Sequence, residues 1–259
     1  MPFIRINELN TYYEDQGEGE VVILLHNGFS CTKMWKEIAS MLAAAGFRVL
    51  MYDRRGYGRS EGGSDFETHY VSPGFRDAAV TAMAALVDHL GIDSCHIVGQ
   101  CEGGVVGVDY AARYPHKVMT LTTASTLCFS EISMEAFNRL KFPRTYDDLP
   151  VDIQKKYVDW HGPERAASFY ALCSRYGGSY GLGMFDLRPV LKKVSCSALT
   201  MYPDRGHFFE AEQGVAFFRS FSNGELAIFP KCGHNIFEHY PVLYAQMVVS
   251  FIERFRQGR

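Results

Sequence analysis

Residues 96–104 read His96-Ile97-Val98-Gly99-Gln100-Cys101-Glu102-Gly103-Gly104, an apolar run leading into the pattern G-x-C-x-G. The run predicts a buried strand, and the small residues flanking Cys101 permit a sharp turn into a helix. A side chain on such a turn stands at a helix N-terminus, where the dipole favours negative charge; thiolate is the charged form of cysteine. A nucleophilic serine usually occupies this position. The chemistry implied is attack by sulfur on an electrophilic carbon. A buried core cysteine, or a cysteine standing where a serine originally stood, has the same local sequence.

The other six cysteines, at positions 31, 95, 128, 173, 196 and 232, include no C-x-x-C pair. A zinc ribbon or dithiol redox centre is therefore not expected, and neither a metal nor an organic cofactor is implied. A reduced, cytoplasmic protein is the expectation. The 259 residues are 47% hydrophobic and 21% charged, enough for a large core in a soluble chain. A net charge of −3 with no basic stripe argues against nucleic-acid binding. No apolar run is long enough for a membrane span, and Met1-Pro2-Phe3-Ile4-Arg5 does not resemble a signal peptide. The oligomeric state leaves no mark in the sequence.

Positioning the cysteine requires a scaffold, and the first half of the chain alternates strands with helices. Residues 21–25 form a continuous apolar run, as a strand buried on both faces requires. Further strands are expected at 47–52, 95–98 and 118–123, with helices at 32–45, 78–90 and 105–114. Alternation of this kind implies an α/β fold, a mostly parallel sheet flanked by helices. Between residues 128 and 186 the alternation stops. Helical segments are expected there at 134–140, 153–160 and 165–173, followed by the glycine-rich stretch 176–183, a flap or a plain connector. Strands at 198–202 and 226–229 and helices at 208–220 and 240–255 complete the pattern. The division is thus a core of 1–127 and 187–259 with a helical cap insertion over 128–186.

Four landmarks in order give the chain a resemblance to the α/β-hydrolase family over nearly its full length. Leu24-Leu25-His26-Asn27-Gly28-Phe29 resembles the family's oxyanion loop. Tyr52-Asp53-Arg54-Arg55-Gly56-Tyr57-Gly58-Arg59-Ser60 resembles its D-x-R-G-x-G-x-S stretch. Gly99-Gln100-Cys101-Glu102-Gly103 matches the nucleophile elbow, and Cys232-Gly233-His234-Asn235 matches the glycine–histidine turn after the last strand. Each sits at the end of an expected strand, where open α/β sheets carry their sites.

The resemblance implies Cys101 as nucleophile and His234 as general base, favoured over His207 and His239 by its turn after a strand. The triad acid departs from the family pattern. In Pro203-Asp204-Arg205-Gly206-His207 a glycine fills the acid position and Asp204 lies two residues early; Ser125 falls at the alternative position. Asp204, through a backbone shift, or Glu210 could serve. A thiol needs less help than a hydroxyl, so a Cys–His pair, as thiolate and imidazolium before substrate arrives, could act without an acid. The oxyanion hole is expected from the backbone N–H of Glu102 and that of Gly28 or Phe29. The Glu102 side chain should turn away into a salt bridge. Asn27, Phe129, Trp160 and Tyr180 are candidate pocket residues. Together these imply hydrolysis of a small or medium acyl compound (ester, thioester or lactone) through a cysteine acyl-enzyme. Acyl transfer by the same pair, and ligand binding without turnover on a hydrolase scaffold, are the alternatives.

Overall fold

The computed structural model describes residues 3–257. Among the described residues eight strands form one sheet: β1 (Phe3–Ile6), β2 (Leu9–Gln16), β3 (Val21–Leu25), β4 (Arg48–Tyr52), β5 (Cys95–Gln100), β6 (Val118–Ala124), β7 (Ser197–Pro203) and β8 (Gly224–Phe229). Their order is β1-β2-β4-β3-β5-β6-β7-β8. β1 and β2 pair antiparallel with each other, and β2 pairs antiparallel with β4; every pair from β4 to β8 is parallel.

The apolar run of β3 shows why a parallel sheet needs helices on both faces. Ile23 and Leu25 pack among residues of helices Phe75–His89 and Glu102–Arg113. Val22 and Leu24 face the other way, against helices Lys36–Ala44 and Pro241–Gln257. Because side chains alternate along a strand, only a strand buried on both faces is apolar at every position. β3 and β5 are the central pair, and the strand order reverses between them. That crevice is where open α/β sheets bind ligands.

The two antiparallel strands were not read from the sequence. β2 reads Leu-Asn-Thr-Tyr-Tyr-Glu-Asp-Gln and only Tyr12 on it is buried, so it lacks a strong apolar signature. The expected helix at 32–45 divides into a 3-10 turn, Thr32–Trp35, and the helix Lys36–Ala44. The expected helix at 208–220 begins only at Ala211, because Phe208 and Phe209 belong to the site described below.

Between β6 and β7 lie the helices Met134–Lys141, Val151–His161 and Ala166–Tyr176. They are pinned to the sheet side by polar contacts. His161 Nδ1 accepts the Gly58 N–H and its Nε2 meets the Phe29 carbonyl, both at 3.0 Å. The Gly58 N–H can only donate, so Nε2 carries the proton and gives it to Phe29. Lys33 pairs with Asp159 at 2.7 Å, and Lys156 with Glu238 at 2.6 Å. Within the glycine-rich stretch Gly178–Tyr180 forms a buried 3-10 turn, while Gly181, Leu182 and Gly183 are exposed.

Candidate active site

Cys101 sits at φ 52°, ψ −117° between β5 and the helix Glu102–Arg113. A non-glycine residue with positive φ outside a helix costs of order 1–3 kcal/mol, so the surroundings must impose it. They do so on both sides. The Cys101 N–H is held by the Ala124 carbonyl of β6 at 2.8 Å. The helix also lies close on the sheet: a Cβ on Gly103 would stand 2.2 Å from the Leu25 carbonyl oxygen, and one on Gly99 would stand 2.5 Å from that of Gly103. The flanking glycines thus let the helix start directly beneath the strand end, with Cys101 turned outward.

The sulfur faces a cavity of about 300 Å³ lined mainly by aromatic and apolar side chains. Asn27, Trp160 and Tyr180 line it, together with Cys101 and His234. Phe129 does not. It bridges to Asp186 and carries the Arg188 guanidinium 4.4 Å above its ring, so its role is to close the chain end of the helical segment. The sequence reading did not anticipate Phe142, Phe208 and Phe209 in the lining. The paired phenylalanines directly after Gly206-His207 were the available signal.

Cys101 Sγ hydrogen-bonds the Tyr180 hydroxyl at 3.6 Å. Burial pushes the thiol up to about 11, overriding the Tyr180 hydrogen bond, while the neighbouring Glu102 carboxylate adds to the rise and the Glu102 N–H opposes it. His234 is moved the opposite way, to about 3, by burial and then by His207. Its ring packs against Phe208 and Phe209, with centroids at 5.0 and 5.5 Å. Burial in an enclosed apolar wall disfavours both charges, and so works against a thiolate–imidazolium pair formed before substrate arrives.

His234 is fixed through its main chain. Its carbonyl accepts Gln100 Nε2 at 2.9 Å and Ser125 Oγ at 2.7 Å. Its Nδ1 is buried without a partner, and among the described residues no hydrogen bond joins the ring to a carboxylate or to Sγ. Asp204 does not orient the ring. It accepts the Cys232 N–H at 3.3 Å and lies 3.7 Å from Arg205, propping the backbone of the Gly233-His234 turn. The missing two residues of spacing aim it at the turn rather than at the imidazole. Glu210 is exposed at the start of helix Ala211–Ser220. Ser125, at the alternative acid position, supports the histidine's carbonyl instead.

The expected salt bridge of Glu102 is present and entirely buried. Its carboxylate meets Arg54 Nη1 at 3.1 Å, the Tyr57 hydroxyl at 3.2 Å and the Ser179 N–H at 2.7 Å. Arg54, unassigned from sequence, also donates to the carbonyls of His26 and Asn27 at 3.2 and 2.9 Å. Within that loop the Phe29 N–H is already donated to Asn27 Oδ1 at 2.9 Å. Among the described residues no protein acceptor holds the Gly28 N–H. No group of three metal-ligating side chains occurs among the described residues, and no described helix is long and apolar enough to cross a membrane.

A central parallel sheet with a strained elbow, a glycine–histidine turn and a crevice at the strand ends defines an α/β hydrolase. The family model for the α/β hydrolase fold matches residues 20–155, and the chain belongs to that family. Among known proteins it is similar to the 2-hydroxy-6-oxo-6-phenylhexa-2,4-dienoate hydrolase of Burkholderia cepacia, 24% identical over 90% of this chain and 89% of that protein. It is equally 24% identical to a 2-hydroxy-6-oxononadienedioate/2-hydroxy-6-oxononatrienedioate hydrolase of Pseudomonas putida, over 96% and 95% of the two chains. Solved structures of the same fold include the enol-lactonase from Burkholderia xenovorans LB400 and an esterase from Exiguobacterium antarcticum. The first has a TM-score of 0.75 and 19% identity, covering 97% of this chain and all of that one. The second has a TM-score of 0.78 and 18% identity, covering 97% and 98%.

Proposed function

We propose that this α/β hydrolase cleaves a small or medium ester, thioester or lactone through a Cys101 acyl-enzyme, with His234 as general base and the 128–186 segment as its cap. The observation that carries this reading is the strained Cys101, held at a helix N-terminus and facing a cavity that His234 also lines. In acylation the thiol proton passes to His234 as sulfur bonds to the acyl carbon. The imidazolium then returns that proton to the departing oxygen or sulfur. In the second half water loses a proton to His234, attacks the thioester, and the thiolate leaves and is reprotonated. Catalytic hydrogen bonds commonly close only when substrate is seated, which accommodates the open Cys101–His234 pair. The N–H groups of Glu102 and Gly28 are the fitting oxyanion donors, since that of Phe29 is already engaged. The aromatic lining suits an apolar acyl group, and the relatives named above act on compounds whose names carry a 6-oxo group, an electrophilic carbonyl.

One observation favours a second reading. The unpartnered His234 Nδ1 and the absent acid fit a protein that binds a ligand without turning it over. Mass spectrometry after mixing with activated esters of graded chain length separates the two. The acyl-enzyme reading predicts one acyl group on the Cys101 peptide, formed with a burst of leaving group and lost on standing. Saturable binding with no acyl adduct would overturn it. Capture of the acyl group by added alcohol, amine or thiol, with negligible hydrolysis, would make the enzyme an acyltransferase.

A further inference from the structure

Tyr180 ends the buried turn Gly178–Tyr180 that closes over the elbow. Its hydroxyl oxygen accepts the Leu127 N–H at 3.4 Å and lies 3.6 Å from Cys101 Sγ. An amide N–H can only donate, so the single phenol proton is left for the sulfur. We propose that Tyr180 is a catalytic residue that donates its O–H to Cys101 Sγ, and that the buried Arg54–Glu102 pair is the device that positions it. The proposal rests on the reading of Cys101 as an acyl-forming nucleophile.

The positioning follows from one carboxylate with several partners. Glu102 is the first residue of the helix behind the elbow, and its carboxylate holds both Arg54 and, through Oε1, the Ser179 N–H. Arg54 extends the tie to the carbonyls of the oxyanion loop. Elbow, oxyanion loop and Tyr180 turn are therefore registered on a single buried ion pair. Gly178 is part of the fit. Its φ is 55°, and a Cβ there would stand 2.4 Å from Glu102 Oε1, so only glycine lets the turn close onto the carboxylate. Tyr180 is two residues further on, aimed at the sulfur.

The donor acts where the sulfur carries charge. When His234 removes the thiol proton, the electron pair left on sulfur is stabilised until the bond to the acyl carbon forms. When the thioester breaks, the pair returns to sulfur and the same O–H receives it. Tyr180 transfers no proton: burial raises its phenol well above the ordinary value, so it stays protonated through both half-reactions. A hydrogen bond to a charged group is worth about tenfold or more in the ionisation of that group. The other titratable or charged groups around the sulfur are Glu102, Arg54, Tyr202 and, across the cavity, His234. A Tyr180→Phe change leaves all four in place.

The test is the rate of Cys101 alkylation by iodoacetamide across a pH series, resolved by peptide mass spectrometry, with single-turnover acylation by an activated ester alongside. Tyr180→Phe should slow alkylation about tenfold at each pH below the thiol's titration, without changing the slope, and should slow acylation by a similar factor. Gly178→Ala should reproduce the alkylation defect by lifting the turn off Glu102. Near-ultraviolet circular dichroism matching the parent chain establishes that each variant is folded. Unchanged alkylation in Tyr180→Phe would overturn the catalytic assignment, and a normal rate in Gly178→Ala would overturn the positioning role. If the parent chain forms no acyl-enzyme, the proposed function fails, yet alkylation still decides whether Tyr180 donates to the sulfur.

Discussion

The two halves of the site are built differently. The Cys101 side is over-determined: Cys101 is fixed by backbone strain and the Ala124 carbonyl, and Glu102 behind it ties Arg54, Tyr57 and Ser179 together. On the histidine side, Gln100 and Ser125 hold the main chain, while the ring has aromatic neighbours and no hydrogen bond to Nδ1. In a Ser–His–Asp arrangement the acid fixes the ring and stabilises the imidazolium. Here the ordering investment has moved to the sulfur. That division suits a thiol, whose proton is far easier to remove than that of a hydroxyl.

The strongest way to break this comparison is to replace the Cys101 thiol with a hydroxyl. Cys101→Ser leaves a hydroxyl facing a base with no acid behind it, and the acylation rate should fall by about a thousandfold or more. A serine variant as active as the parent, in the same burst assay, would show that the weak histidine side suffices for a hydroxyl. His234→Ala should cost about a hundredfold to ten-thousandfold in both acylation and deacylation, since the ring is the proposed base in each proton transfer. Single-turnover and steady-state rates measured together would show it.

The over-determined side can be broken through its ion pair. Arg54→Met strands the Glu102 carboxylate in the core and should destabilise the fold by about 3–5 kcal/mol, read as a lowered urea midpoint. Stability should also fall in acid. His26 is held well below its ordinary value by burial, His161 is lowered to about 4 and His234 to about 3, again by burial. Each is neutral in the fold yet protonates near 6.5 once unfolded. Their contribution is complete above about pH 6.5 and is lost as pH falls from there toward the folded values. Urea titrations from neutral pH down to about pH 4 should show the midpoint declining across that window. The smallest effect is expected at Asp204. Asp204→Asn should change the acylation rate by less than about threefold, because the carboxylate supports the turn and not the ring. A loss approaching a thousandfold would name it as the acid after all.

The sequence made some of this plain and concealed the rest for physical reasons. The central strands were legible because burial on both faces forces continuous apolar runs such as 21–25. β2 was not, because of its residues Tyr12 alone is buried. The elbow was legible because backbone strain and close packing demand glycines at fixed offsets around Cys101. The destination of Glu102 could be anticipated in kind, as a salt bridge, but its partners could not, since Arg54 and Ser179 are 48 and 77 residues away. The electrostatics of the pair were the least legible part. The helix dipole argues for a thiolate, whereas the apolar wall against it, including Phe208 and Phe209 on the His234 ring, and the opposing Tyr180 hydroxyl are brought together only by the fold.

The measurement that tests the central claim most directly is the ultraviolet absorbance of the Cys101 thiolate, taken as the parent chain minus Cys101→Ala across a pH titration without substrate. A neutral thiol beside a neutral imidazole predicts no thiolate signal at neutral pH and a rise only toward about pH 11. A full thiolate signal at neutral pH that disappears in His234→Ala would contradict the account and establish a preformed ion pair.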